Sequence, residues 1–273
     1  MQAFSAWTPP TGTLGGIVAE AGERAAALKT REAELARAAS ETPRAPSFAA
    51  ALKGPTVSVI AEVKRRSPSK GWIRAAISAV EHAREYESGG AAAISVLTEP
   101  VHFGGSTADL VAVRKAVGVP VLKKDFHIEP VQLIEARALG ASAALLIVRA
   151  LSPAALRLMT NTASDLELEV VLEVRDEEEL GRALDVGARI IGINNRNLET
   201  LAIDPATSER LLRLIPSSLV AIAESGVSRR EDVERVALCG ADAVLVGSVI
   251  SAAANPAAAV RELSGVERAA RAR

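Results

Sequence analysis

The stretch SGGAAAISVL (88–97) sets the grammar of the chain: glycine, alanine, then a short run of β-type apolar residues, all after a helix-like segment. The same order recurs in LGASAALLIV (139–148), VGARIIGIN (186–194) and CGADAVLVG (239–247). Glycine ends a helix in the left-handed conformation without a Cβ penalty, and an unbroken apolar run is a strand covered on both faces. Each copy therefore reads as a helix-to-strand junction. Adding the remaining apolar runs predicts eight strands, beginning near residues 57, 92, 119, 143, 169, 189, 219 and 242. Helices are predicted at 76–88, 106–117, 130–139, 153–164, 176–186, 205–214, 228–238 and 256–267. Ser78, Ser152, Asp176, Asp204 and Ser228 stand where caps or first-turn residues belong, and Pro153 and Pro205 suit a first helical turn. Strands joined by crossover helices pair in parallel. Eight such units predict an α/β protein of the (β/α)8 TIM-barrel class, and no GxGxxG turn follows the first strand as a doubly wound nucleotide fold would require.

An Ala-, Glu- and Arg-rich helix is predicted over 13–38, followed by the Pro-containing linker ETPRAPS. The expected organisation is an N-terminal helical extension packing on the barrel (1–48), the barrel itself (49–267) and a disordered tail (268–273). A net charge of −1 and four Phe, two Trp and one Tyr, with no basic run among them, argue against nucleic-acid and membrane partners. The start of the chain has neither a basic segment nor an apolar core, so no signal peptide is expected, and no uncharged apolar run is long enough to span a bilayer. A reduced, cytoplasmic location follows as the expectation. The single cysteine, Cys239, is expected as a small packed thiol. His82, His102 and His127 are too far apart in sequence to make a metal-ligand pair, so no metal is expected.

In barrels of this class the chemistry sits at the C-terminal ends of the strands. There the sequence VSVIAEVKRRSPSKG (57–71) places Glu62 and Lys64 on one face of an extended chain. VPVLKKDF carries Lys123, Lys124 and Asp125; parity with Leu122 turns Lys124 inward and sends its neighbour to the other face. Glu173, Asn194, Arg196 and Glu224 stand at the ends of later strands. Each buried charge alone is costly, so several converging on one rim point to a site. Asp125 and Arg175 read as local salt-bridge partners, DEEEL (176–180) as an exposed acidic first turn, and Arg65, Arg66 and Lys70 as solvated charges or substrate contacts. Glu224-Ser225-Gly226 and Val246-Gly247-Ser248 leave backbone N–H groups free after the last two strands, which predicts a phosphorylated small-molecule ligand.

IAEVKRRSPSKG, SVLTEPVHFGGS, PVLKKDF, ALLIV, LEV, IGINNRNLETL, AESGV and ADAVLVGS, in that order, resemble the indole-3-glycerol-phosphate synthase family of tryptophan biosynthesis over residues 50 to 262. The resemblance implies a carboxy-lyase that converts 1-(2-carboxyphenylamino)-1-deoxyribulose 5-phosphate to indole-3-glycerol phosphate, carbon dioxide and water, with no metal or organic cofactor. It implies Lys124 as general acid at the ketone and Lys64 in substrate binding and dehydration. Glu173 would be the base, with Glu62 tuning the lysines and Asn194 and Arg196 positioning the substrate. Ser67, Glu224 and Ser225 would complete the rim; Gly226, Gly247, Ser248 and Lys64 would hold the phosphate. Pro68, Leu97, Phe103, Phe126 and Leu146 would wall the anthranilate ring. It further implies a monomer or weak homodimer able to contact other enzymes of the pathway. AAISAVEHA lacks the acidic residue and Pro with which the family often opens the first barrel helix, and Asn197 replaces a commonly acidic residue. The readings weighed against it are another phosphate-binding barrel, such as phosphoribosylanthranilate isomerase, which would not need EVK, KDF and LEV together, and a non-catalytic ligand-binding barrel.

Overall fold

The computed structural model describes residues 7–69, 71–73 and 77–271. Eight parallel strands close into a barrel: β1 (Ser58–Val63), β2 (Ala93–Leu97), β3 (Val121–Lys124), β4 (Ala143–Ile147), β5 (Glu169–Val174), β6 (Ile190–Asn194), β7 (Val220–Glu224) and β8 (Ala243–Val246). Neighbours in the ring follow chain order, and β1 pairs with both β2 and β8. Every strand begins within two residues of its predicted start.

Two helices, α1 (Gly12–Lys29) and α2 (Glu32–Glu41), precede the barrel. Helices α3 (Ala79–Ser88), α4 (Thr107–Ala116), α5 (Pro130–Ala138), α6 (Pro153–Asp165), α7 (Glu177–Asp185), α8 (Ala206–Leu212), α9 (Arg230–Leu238) and α10 (Pro256–Leu263) surround it.

The strands are apolar on both faces because both are covered. Ile60, Leu122, Leu145, Val171, Ile222 and Leu245 fill the barrel interior, while Val59, Ile94, Leu146, Leu172, Ile193 and Val244 pack beneath the helices. This period of two is that of an extended chain. Each such side chain contributes roughly 1.5–3 kcal/mol on burial.

Ser78, Ser152 and Asp176 cap α3, α6 and α7 by accepting the N–H groups of Glu81, Ala155 and Glu179. Asp204 accepts from Ala206 at the start of α8. Ser228 is not a cap: Arg229 takes that position, and Asp232 reaches back to accept the N–H groups of Ser228 and Arg229.

Two expectations for the ends of the chain are corrected. The helix predicted over 13–38 breaks at Thr30–Arg31, where the Thr30 hydroxyl donates back to the Ala27 carbonyl and α2 sets off to pack on α5. The tail is anchored through residue 271, because Arg268 and Arg271 both pair with the buried Asp242 and Arg271 also donates to the Leu219 carbonyl. Residues 272–273 lie outside the described residues. Among the described residues no helix is long and apolar enough to cross a membrane.

Candidate active site

Register decides which charges meet. Glu62 on β1 stands beside Ser95 on β2, and their side chains lie 3.5 Å apart inside the barrel. One residue beyond the strand, Lys64 keeps the same face and places Nζ 3.0 Å from Glu62 Oε1 and 5.5 Å above the Phe103 ring. The two lysines of β3 separate as parity requires. Lys123 points outward and meets Glu135 of α5 at 2.6 Å, whereas Lys124 points into the mouth, 3.5 Å from Glu173 and 3.4 Å from Glu224.

Burial acts against the Lys124 charge, but Glu224, Glu173 and Glu62 outweigh it and hold the ammonium above its ordinary pKa. Glu62 is likewise buried, yet Lys64 and then Lys124 keep it below the usual carboxylate range. Glu224 goes the other way. Burial, reinforced by Glu173 and Glu62 and opposed by Lys124, pushes it up to about 8. At neutral pH the cluster is therefore a charged Lys124, an ionised Glu62 and a protonated Glu224.

Glycines make room for these carboxylates. A Cβ on Gly192 would stand 2.2 Å from Glu224 Oε1, and one on Gly247 would stand 2.6 Å from Glu62 Oε1. Asn194 donates to Glu173 at 3.0 Å and accepts from the Arg196 backbone, and the Arg196 guanidinium donates to the Leu201 carbonyl. Beyond β7, Ser225 and Gly226 both hold left-handed backbone, with φ of 64° and 84°. That conformation is strained for serine and is typical of functional turns. Asn195 fixes it by donating to the Ser225 carbonyl at 2.9 Å.

A pocket of about 750 Å³ opens over this cluster. Of the residues expected from sequence, Glu62, Lys64, Ser67, Pro68, Leu97, Phe103, Lys124, Phe126, Glu173, Asn194, Arg196, Ser225 and Ser248 line it. Glu224 touches it through Lys124, and Gly226 and Gly247 shape the backbone beside Ser225 and Ser248. Leu146 is a correction. It has the parity of the outer face and packs under the helices, while Leu145 and Ile147 line the pocket. The same parity rule, applied strand by strand, would have found this.

Sequence reasoning also missed Thr13, Leu14 and Ile17, through which α1 forms one wall, and Leu198 and Leu201 opposite. Only contacts remote in sequence bring these residues to the mouth. Asp125 forms its ion pair with Arg24 of α1 at 3.0 Å and also accepts the N–H of its neighbour Phe126, and Arg175 meets Asp176 at 3.9 Å. DEEEL is not uniformly exposed: Glu179 is 5% exposed, because its side chain turns back to accept the Arg175 N–H at 2.7 Å. The D-x-x-E spacing was the signal for that turn. Asn197, in place of an acidic residue, accepts the N–H groups of Glu199 and Thr200 and closes the loop locally. Arg65 pairs with Asp109 at 2.5 Å and Arg66 donates to the Val101 carbonyl; Lys70 lies outside the described residues.

Among the described residues, Glu20, Glu99 and His102 have the spacing of a metal-ligand set. Glu99 is already committed to the N–H groups of Val101, His102 and Phe103, with Arg24 at 3.7 Å. His102 contacts Glu20 at 3.0 Å, so the cluster joins α1 to the loop that carries Phe103.

Comparison with known proteins gives a consistent result. A family model described as indole-3-glycerol phosphate synthase matches residues 14–263. The enzyme of that name from Streptomyces griseus is 48% identical over 250 residues, covering 92% of each chain. Its counterpart from Kineococcus radiotolerans is 53% identical over 207 residues, covering 76% of each. Among solved structures, 3-hexulose-6-phosphate synthase from Salmonella typhimurium superposes with a TM-score of 0.61 at 16% identity, over 76% of this chain and 96% of that one. Thiamine phosphate pyrophosphorylase from Pyrococcus furiosus gives 0.57 at 18% identity, over 76% and 93%. At such low identity these two speak for the barrel fold alone. The match along nearly the whole chain does more: the protein belongs to the indole-3-glycerol phosphate synthase family.

Proposed function

We propose that the chain is an indole-3-glycerol-phosphate synthase, closing the indole ring of 1-(2-carboxyphenylamino)-1-deoxyribulose 5-phosphate with release of carbon dioxide and water. The observation that carries this reading is Lys124, an ammonium held by Glu173 and Glu224 at the floor of a pocket with Leu97, Phe103 and Phe126 on its wall. A charged acid beside an aromatic-lined wall suits a reaction in which an aromatic carbon attacks a ketone.

In this reading Lys124 protonates the ketone oxygen as the carbon bearing the carboxylate attacks. Loss of carbon dioxide restores ring aromaticity. Lys64, held by Glu62, protonates the departing hydroxyl, and Glu173, oriented by Asn194, takes the last proton as the indole forms. General acid–base steps of this kind contribute about 10²–10⁴-fold each. Arg196 presents a planar fork suited to the substrate carboxylate. In the same reading Gly226, Gly247, Ser248 and Lys64 hold the phosphate, Ser67 and Ser225 complete the rim, and Pro68 belongs to the wall against the anthranilate ring. Glu224 holds Lys124 in place. The enzyme works in the cytoplasm as a monomer or weak homodimer and can contact other enzymes of the pathway.

Incubating the purified chain with the carboxyphenylamino sugar phosphate and following the fluorescence of the indole-glycerol product tests this reading. Turnover is expected; ligand binding with no product would overturn it in favour of a binding barrel.

A further inference from the structure

The active-site pocket opens sideways. A second, narrow cleft shares Glu173, Asn194 and Arg196 with it and extends to Glu179 at the start of α7, with Arg149 and Arg175 on its wall. Its polar lining and its size suit about one water molecule. Glu179 uses one carboxylate oxygen, Oε2, to accept the Arg175 N–H. At the other end, Glu173 Oε2 is buried and carries no hydrogen bond among the described residues, although it lies 3.5 Å from the Lys124 ammonium.

The proposed reaction leaves this cluster short of a proton. The substrate enters as an ionised carboxylate and leaves as neutral carbon dioxide, water and indole. Two protons are given, to the ketone oxygen and to the departing hydroxyl, and one is taken back. One proton must therefore enter from solvent in each turnover.

We propose that Glu179 is a proton-relay residue that refills the catalytic cluster from the side, through water in the shared cavity and by way of Glu173, an inference that rests on the synthase reading. After the ketone step the O–H bond of Glu179 breaks, Glu173, still an unprotonated base, carries the proton, and an N–H bond re-forms on the Lys124 amine. The proton that Glu173 later takes from the substrate returns to Lys64 by way of Lys124 and Glu62, so that both lysines end the turnover charged. Glu179 regains its proton from solvent at the edge formed by Arg175 and Asp176, whose side chains are each 39% exposed.

The surroundings suit a donor. Burial first, then Asp176 on the same helix and Glu173 on β5, push Glu179 up to about 7, against the hydrogen bond and charge of Arg175. Arg182 on α7 and Arg149 on the turn after β4 also face it. A donor must be protonated, so the wild-type rate is expected to fall as pH rises through about 7.

Glu179→Gln and Glu179→Asp, assayed in the full chain with the carboxyphenylamino sugar phosphate, test the relay. Glu179→Gln is expected to lower kcat about tenfold with KM within about twofold, to lose the fall near neutral pH, and to recover as imidazole buffer is raised. Glu179→Asp, still an acid, is expected to stay faster than Glu179→Gln. A purely structural role predicts the reverse order, because Gln keeps the length and the acceptor for the Arg175 N–H and Asp does not. That reverse order, or a Glu179→Gln enzyme within twofold of wild type, overturns the relay alone. A wild-type chain that makes no product overturns the synthase reading, and the relay with it.

Discussion

The two ends of the barrel bury charge in opposite ways. At the C-terminal mouth Glu62, Glu173 and Glu224 are each at most 3% exposed, yet Glu173 Oε2 and Glu224 Oε1 carry no hydrogen bond among the described residues. At the opposite end Asp242 is also 3% exposed, but it accepts from the Ala221 N–H at 2.7 Å and pairs with Arg268 and Arg271. At the same end, Glu169 accepts from the Ser47 hydroxyl and the Ala49 N–H. Buried polar groups ordinarily find partners, and those left short in a native site call for a functional reason. The mouth leaves carboxylate oxygens open, whereas both oxygens of Asp242 tie β7, β8 and the chain end together. Reactivity is expected to reside at one end and stability at the other.

The sharpest way to break that division is at Lys124. Lys124→Met is expected to lower kcat by about 10³-fold or more, on the order of 4 kcal/mol of transition-state stabilisation. The fold should survive, since Glu224 is already inclined to hold a proton and the carboxylates can neutralise rather than face one another charged. Single-turnover kinetics together with a thermal melt measure both effects. A large loss of stability with retained turnover would reverse the assignment of the two ends.

Asp242→Asn makes the complementary cut. It leaves Arg271, whose side chain is 5% exposed, without its carboxylate, and the expected loss is about 2–4 kcal/mol of unfolding free energy with kcat unchanged. Urea unfolding monitored by tryptophan fluorescence gives the first number and the product assay the second.

This division was only half visible in the sequence. The mouth was legible because strand parity is local: two-residue spacing placed Glu62 with Lys64 and separated Lys124 from Lys123 without any knowledge of neighbours. Leu146 shows the cost of not applying that parity to an apolar residue, where no charge signals the face. Packing remote in sequence was not legible. Arg268 and Arg271 reach Asp242 only because the chain end returns beneath β8, and α1 enters the pocket wall because Leu14 and Ile17 pack into the barrel core while Arg24 meets Asp125 and Glu20 meets His102. Glu179 was hidden differently, inside a run of acids that reads as solvated until one of them turns back to its own helix start.

Glu224→Gln sharpens the account of the mouth with the smallest expected effect. Below about pH 8 the Glu224 carboxyl is protonated and neutral, so the amide imitates its charge and size. At pH 7 the variant should turn over within a few-fold of wild type. As pH rises through about 8, wild-type Glu224 ionises and adds a negative charge 3.4 Å from Lys124. That charge binds the ammonium proton more tightly and makes Lys124 a weaker acid, so kcat should fall about tenfold by one pH unit above the transition. The amide of the variant cannot ionise, and the fall should disappear. The profiles are best measured in ample imidazole buffer, where proton supply through Glu179 does not limit. If both enzymes lost activity equally across pH 8, the controlling ionisation would lie outside Glu224, and the neutral carboxyl beside Lys124 would have no part in setting its acidity.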